Sequence, residues 1–149
     1  MLLLLRDANL SKSAVIYDLG CGWGSLPIAL AKTFLDARVK GMEISPFPCL
    51  VARLRTWRLP NVSVAAKNFY KFDLADADAV TCYLMPSAMS RLSKFLDEKV
   101  RPGTVVVTVT FWFRDRSPAT IKDGPGLRGA VALYVWPATS RRASTGLDS

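Results

Sequence analysis

The chain contains no histidine, so a proton-transfer step would have to use a carboxylate, a tyrosine, a lysine or water. Cysteine is scarce as well. Cys21, Cys49 and Cys82 are odd in number, widely separated and form no CxxC pair, so no metal site is expected. Three thiols in apolar stretches suit a reducing, cytoplasmic setting better than a disulfide framework. Long apolar runs are also missing. The start, Met1 to Lys12, opens with a run of four leucines, Leu2 to Leu5, but has no basic region before them and no small-residue cleavage site after them. It falls short of the roughly 20 apolar residues a membrane span needs, so no transmembrane segment is expected, and it reads as the end of a helix packed on a sheet. Acidic residues are outnumbered: 12 Asp and Glu stand against 20 Lys and Arg, a net charge of +8. Such a field attracts acidic proteins, nucleic acid or anionic lipid headgroups, but it does not identify a reaction.

What is present is enough for one domain: 149 residues, half of them apolar. Ala14 to Leu19 reads as a buried parallel strand that ends in glycines, and Ser25 to Phe34 as a helix that Ser25 can cap. Arg38 to Ile44 is a second strand, followed by a turn at Pro46 and Pro48. Leu50 to Trp57 is a helix with Arg53, Arg55 and Arg58 on or near its exposed side. Strands are predicted at Val62 to Ala66, Ala79 to Leu84, Thr104 to Phe111 and Ala130 to Trp136, and an amphipathic helix at Ser87 to Val100. Trp112 to Arg128, polar and rich in Pro and Gly, reads as a loop. Alternating β and α segments predict an open, mostly parallel α/β sheet with helices on both faces. Residues 1–138 are expected to form the domain and residues 139–149 a disordered tail.

The chemistry concentrates at Asp18-Leu19-Gly20-Cys21-Gly22-Trp23-Gly24, between the first strand and its helix. Alternate glycines let the backbone turn sharply and approach a ligand. The helix that follows offers free N–H groups and the positive end of its dipole, which suits an anionic or zwitterionic ligand. Glu43 ends the next strand, where a carboxylate can accept hydrogen bonds from both ribose hydroxyls of a nucleotide-like ligand. The spacing G-x-G-x-G, preceded directly by Asp18-Leu19, departs from the G-x-G-x-x-G of dinucleotide sites.

These residues resemble the first motif of the class I S-adenosylmethionine-dependent methyltransferases, D/E-x-G-x-G-x-G. The runs YDLGCG, MEISP, TCYLMP, RPGTVVV and LYVWP are similar to small archaeal and bacterial protein lysine methyltransferases. The resemblance implies a three-layer Rossmann-like methyltransferase fold with an antiparallel C-terminal strand and a reduced N-terminal cap. It implies that S-adenosylmethionine is held by Asp18, Gly20, Cys21, Gly22, Gly24, Glu43 and Ile44, with Asn68 and Phe69 against the adenine. Tyr83 and Met85 would line the channel for the methyl acceptor, and Trp112 and Phe113 either flank its entrance or pack against the last strand. The implied acceptor is a protein lysine. Nucleic acid is a less favoured acceptor, because Tyr83-Leu84-Met85-Pro86 lacks the Asn/Asp-Pro-Pro-aromatic run that grips an extruded base. A small-molecule acceptor is also compatible with these residues, as is a non-catalytic cofactor-binding remnant, and a homo-oligomer could close the cofactor site.

Overall fold

The computed structural model describes residues 1–122 and 130–138. After a short helix, α1 (Leu2–Asp7), the chain enters β1 (Val15–Leu19), which is buried along its whole length. That burial explains an apolar run without alternation: both faces of the strand are covered. The glycines then lead into α2 (Ser25–Thr33), followed by β2 (Arg38–Glu43), α3 (Pro46–Thr56), β3 (Val62–Ala66) and a single 3-10 turn at Phe69–Lys71. The second half comprises β4 (Ala79–Cys82), α4 (Pro86–Lys99), β5 (Val105–Val109), β6 (Thr120–Lys122) and β7 (Val131–Val135).

The seven strands lie in the order β3-β2-β1-β4-β5-β7-β6. The first five are parallel, and β7 runs antiparallel between β5 and β6. One face is covered by α1 and α2, whose Leu4, Leu5, Leu30 and Ala31 meet Ile16, Val39 and Val107. The other face is covered by α4, whose Met89, Leu92, Phe95 and Leu96 meet Tyr17, Val80, Val106 and Tyr134. Each fully buried Leu or Ile in these layers contributes about 1.5–3 kcal/mol. The expected three-layer α/β fold is therefore present. A polar latch ties the segment before β4 to the sheet: Tyr17 Oη donates to Asp76 at 2.8 Å, and Lys40 Nζ bonds both at 2.9 and 2.7 Å.

Order and connection together create the place for a ligand. The chain runs outward from β1 to β3, then returns to lay β4 on the other side of β1. The connections after β1 and β4 leave in opposite directions, opening a crevice at the carboxyl ends of these strands.

Several local expectations are corrected. Ser25 does not cap α2; Gly24 does so in the left-handed conformation, with φ of +81°, and its carbonyl accepts from the Ile28 N–H at 3.1 Å. Pro46 and Pro48 are not a turn before the helix but part of its first turn, where a missing N–H costs nothing. The second strand stops at Glu43, the fourth at Cys82 and the fifth at Val109, so Ile44 and Tyr83 belong to loops. Within the expected loop after Trp112, Thr120–Lys122 pairs with β7; three residues are too few to show a period of two. The expected tail lies outside the described residues. No helix among the described residues is long and apolar enough to cross a membrane.

Candidate functional site

Two clefts meet at Gly20 beyond the ends of β1, β2 and β4. The larger, about 370 Å³, is walled by Met42, Glu43 and Ile44 on one side and by Asn68, Phe69, Tyr70, Leu84 and Arg91 on the other. The smaller, about 260 Å³, is walled by Asp18, Cys21, Gly22, Trp23, Ser25, Leu26 and Tyr83. Gly20 lines both. A Cβ there would approach Leu84 Cδ2 to 3.0 Å and fill the junction.

The glycine loop is fixed from below and from the side. The N–H groups of Gly20 and Cys21 both donate to the Met42 carbonyl, at 2.8 and 3.0 Å. Gly20, Gly22 and Gly24 all have positive φ, at +76°, +52° and +81°, a region side-chain-bearing residues occupy only at a cost. Gly41 in β2 makes the seat: a Cβ on it would lie 2.9 Å from the Cys21 Sγ. From the side, Arg55 of α3 donates to the Trp23 carbonyl at 2.7 Å and to Ser25 Oγ at 3.1 Å. Ser25, expected as a cap, is instead an acceptor for this guanidinium.

Glu43 is oriented before any ligand arrives. Its Oε2 accepts from the Gly22 N–H at 2.9 Å and its Oε1 from the Ser45 N–H at 2.8 Å. Each carboxylate oxygen has two lone pairs, so one per oxygen remains for an outside donor pair such as a vicinal diol. Asn68 accepts from the Tyr70 N–H at 3.1 Å, which shapes the turn carrying Phe69 and Tyr70. The Tyr70 ring packs edge-on against Phe95 and takes the Arg91 guanidinium over its face at 4.1 Å.

Asp18 is 3% exposed. Burial pushes its carboxyl up to about 7, against a hydrogen bond donated by Thr81 Oγ1 at 2.8 Å, and the nearby Glu43 charge pushes the same way as burial. A cation in the smaller cleft would restore the ionised form. Burial, followed by the Asp18 charge, holds the Cys21 and Cys82 thiols up at about 12, so neither is a nucleophile at neutral pH.

The structure thus brings together Asp18, Gly20, Cys21, Gly22, Glu43, Ile44, Asn68, Phe69 and Tyr83. Gly24 lies behind the loop, where a Cβ would meet Ala52 at 3.0 Å. Met85 precedes α4, is 68% exposed and lines neither cleft. Phe113 is buried edge-on against Tyr134 and Trp136, so it packs under the last strand rather than flanking an entrance. Trp112 lines a separate cleft of about 660 Å³ between the start of α4 and the residues after β5. Sequence reasoning missed Arg55, Thr81, Tyr70, Arg91 and Gly41. Only Gly41, a glycine within a strand, carried a local signal of close approach.

Residues 18–120 match the ANTKMT methyltransferase domain. The chain belongs to that family. As an ANTKMT-type domain it is a class I, S-adenosylmethionine-dependent methyltransferase, the class its sheet order and glycine loop indicate. It is 31% identical over 144 residues to a protein-lysine N-methyltransferase of Saccharolobus islandicus, spanning 89% of this chain and 85% of the relative. It also superposes on the structure of an RNA methyltransferase from Salinibacter ruber in complex with S-adenosyl-L-homocysteine. There the TM-score is 0.82 at 30% identity, covering 99% of this chain and 94% of that one.

The two clefts fit the cofactor of this family. One offers a carboxylate, an amide and aromatic rings, as a nucleoside requires; the other offers a buried acid and backbone, as a charged amino-acid end requires.

Proposed function

We propose that the domain, residues 1–138, N-methylates lysine side chains of protein, with the cofactor held by Asp18, Gly20, Cys21, Gly22, Glu43, Ile44, Asn68 and Phe69. When bound, S-adenosylmethionine supplies an electrophilic methyl group on a sulfonium centre. Glu43 holds the ribose end, Asn68 and Phe69 wall the base, and Asp18 faces the cationic amino-acid end. Gly24 and Arg55 act as positioning residues, because they fix the loop without lining the larger cleft.

The observation that carries the acceptor assignment is the open mouth. Tyr83 and Trp23 are 62% and 50% exposed beside the smaller cleft, so a side chain borne on a folded protein can reach it. A small free acceptor is usually enclosed over most of its surface, and nothing among the described residues covers this mouth. Tyr83 walls the approach, and positioning there provides most of what an in-line displacement needs. With no histidine available, the acceptor ammonium releases its proton to water at the mouth before attack. The three free, buried cysteines support a reducing compartment such as the cytoplasm for this activity. The similarity to the Saccharolobus protein-lysine N-methyltransferase supports the same reading.

A second reading, RNA as acceptor, is favoured by the Salinibacter relative. Incubation with methyl-labelled cofactor, cell protein extract and total RNA separates the two. Label in protease-sensitive material that hydrolyses to methyllysine is expected; label confined to nuclease-sensitive material would replace protein with RNA.

A further inference from the structure

The outward face of α3 is apolar where a surface helix is ordinarily polar. Its inward stripe is Cys49, Ala52 and Thr56. A second stripe at helical spacing, Phe47, Leu50, Leu54 and Trp57, is 54–71% exposed. It continues to the rim of the site, because the Trp23 ring stands edge-on to Phe47 at 5.7 Å and Ile44 is 65% exposed. A continuous patch of this kind on a domain surface marks an interaction site.

Charge identifies the occupant. Between Glu43 and Asp73 there is no acidic residue, whereas Arg53, Arg55, Arg58, Lys67 and Lys71 all fall there. Arg58 lies over the Trp57 ring at 4.6 Å, so the end of the stripe combines an aromatic with a cation. We infer that α3 seats this domain on an anionic lipid surface, its Phe and Leu side chains and the adjoining Trp57 entering the headgroup boundary and Arg58 beside them meeting the phosphates. Interfacial helices have this composition, and each cation near an anionic leaflet adds to the attraction. A second copy fits poorly, since Arg53 and Arg58, both exposed beside the stripe, would face their own copies. RNA fits less well than lipid, because Leu50 and Leu54 at the centre of the stripe offer neither charge nor a stacking face. The seating is independent of which acceptor the site uses, and it leaves the cleft mouth beside the bound surface.

The test is co-sedimentation of the full chain with phosphatidylcholine vesicles, with and without phosphatidylglycerol, alongside a filter-binding assay with polyuridylate RNA. The expected result is association with the anionic vesicles only, weakened by salt, with a blue shift of tryptophan emission from Trp23 and Trp57. Leu50→Ser/Leu54→Ser, at two exposed positions outside the site, should lower vesicle affinity at least about tenfold while cofactor affinity stays unchanged. The inference is overturned by equal binding to neutral vesicles, by no vesicle binding, or by a double variant that binds as well as the parent. Polyuridylate binding, or self-association abolished by the double variant, in the absence of vesicle binding would overturn it too.

Discussion

The two halves of the sheet do different kinds of work at the same crevice. The half from β1 to β3 grips with backbone and one carboxylate: three left-handed glycines, two N–H groups on the Met42 carbonyl, and Glu43 already bonded to Gly22 and Ser45. The half from β4 onward contributes exposed side chains, Tyr83 foremost, on a loop that begins as soon as the strand ends. A backbone grip tolerates few residue types at each position, so it is written in the sequence. A wall of exposed side chains tolerates many, so it is not.

Substitutions in the first half should therefore weaken or remove cofactor binding, and substitution of Tyr83 in the second should spare it. The largest effect is expected for Gly22→Val. A β-branched residue at φ of +52° is strained, its side chain would enter the smaller cleft, and calorimetry with S-adenosylhomocysteine should detect no binding. Glu43→Ala should follow, with affinity lower by about 10- to 100-fold, or 1–3 kcal/mol, for lost charge-assisted hydrogen bonds. Arg55→Ala should cost about 1 kcal/mol of cofactor affinity, since it frees the loop at Trp23 and Ser25 without touching the ligand. In the second half, Tyr83→Ala should raise KM for the acceptor severalfold and leave the dissociation constant for cofactor unchanged. A large loss of cofactor binding in that variant would erase the division between the halves.

Asp18 gives the gripping half a pH dependence in which two effects oppose each other. Its carboxyl, near 7 in the folded chain and near 3.8 otherwise, makes the unliganded fold lose stability as pH rises from about 4 through 7. The folded state binds the proton more tightly across that window. Asp18→Asn should therefore raise the melting temperature of the unliganded protein at pH 8 more than at pH 4, while weakening cofactor binding. Equal melting shifts at both pH values would contradict the buried, high-pKa description.

The order of strands and helices was legible because buried parallel strands such as Val15–Leu19 and amphipathic helices such as α4 announce themselves by pattern. The glycine loop and Glu43 were legible because few other residue types could serve at those positions. Arg55 was not: three arginines on one helix look alike until the fold sets one of them beside the Trp23 carbonyl. Thr81 was hidden within an apolar strand, and nothing local pairs it with Asp18, 63 residues earlier. Tyr70 and Arg91 meet only because the 3-10 turn packs against α4.

The site works as one only if a single ligand spans both clefts, ribose on Glu43 and amino-acid end at the glycine loop. A crystal structure with S-adenosylhomocysteine decides whether it does. Both ribose hydroxyls are expected on the Glu43 carboxylate, with the base between Ile44 and Phe69. Ligand density in the Trp112 cleft, with the two clefts at Gly20 empty, would contradict it.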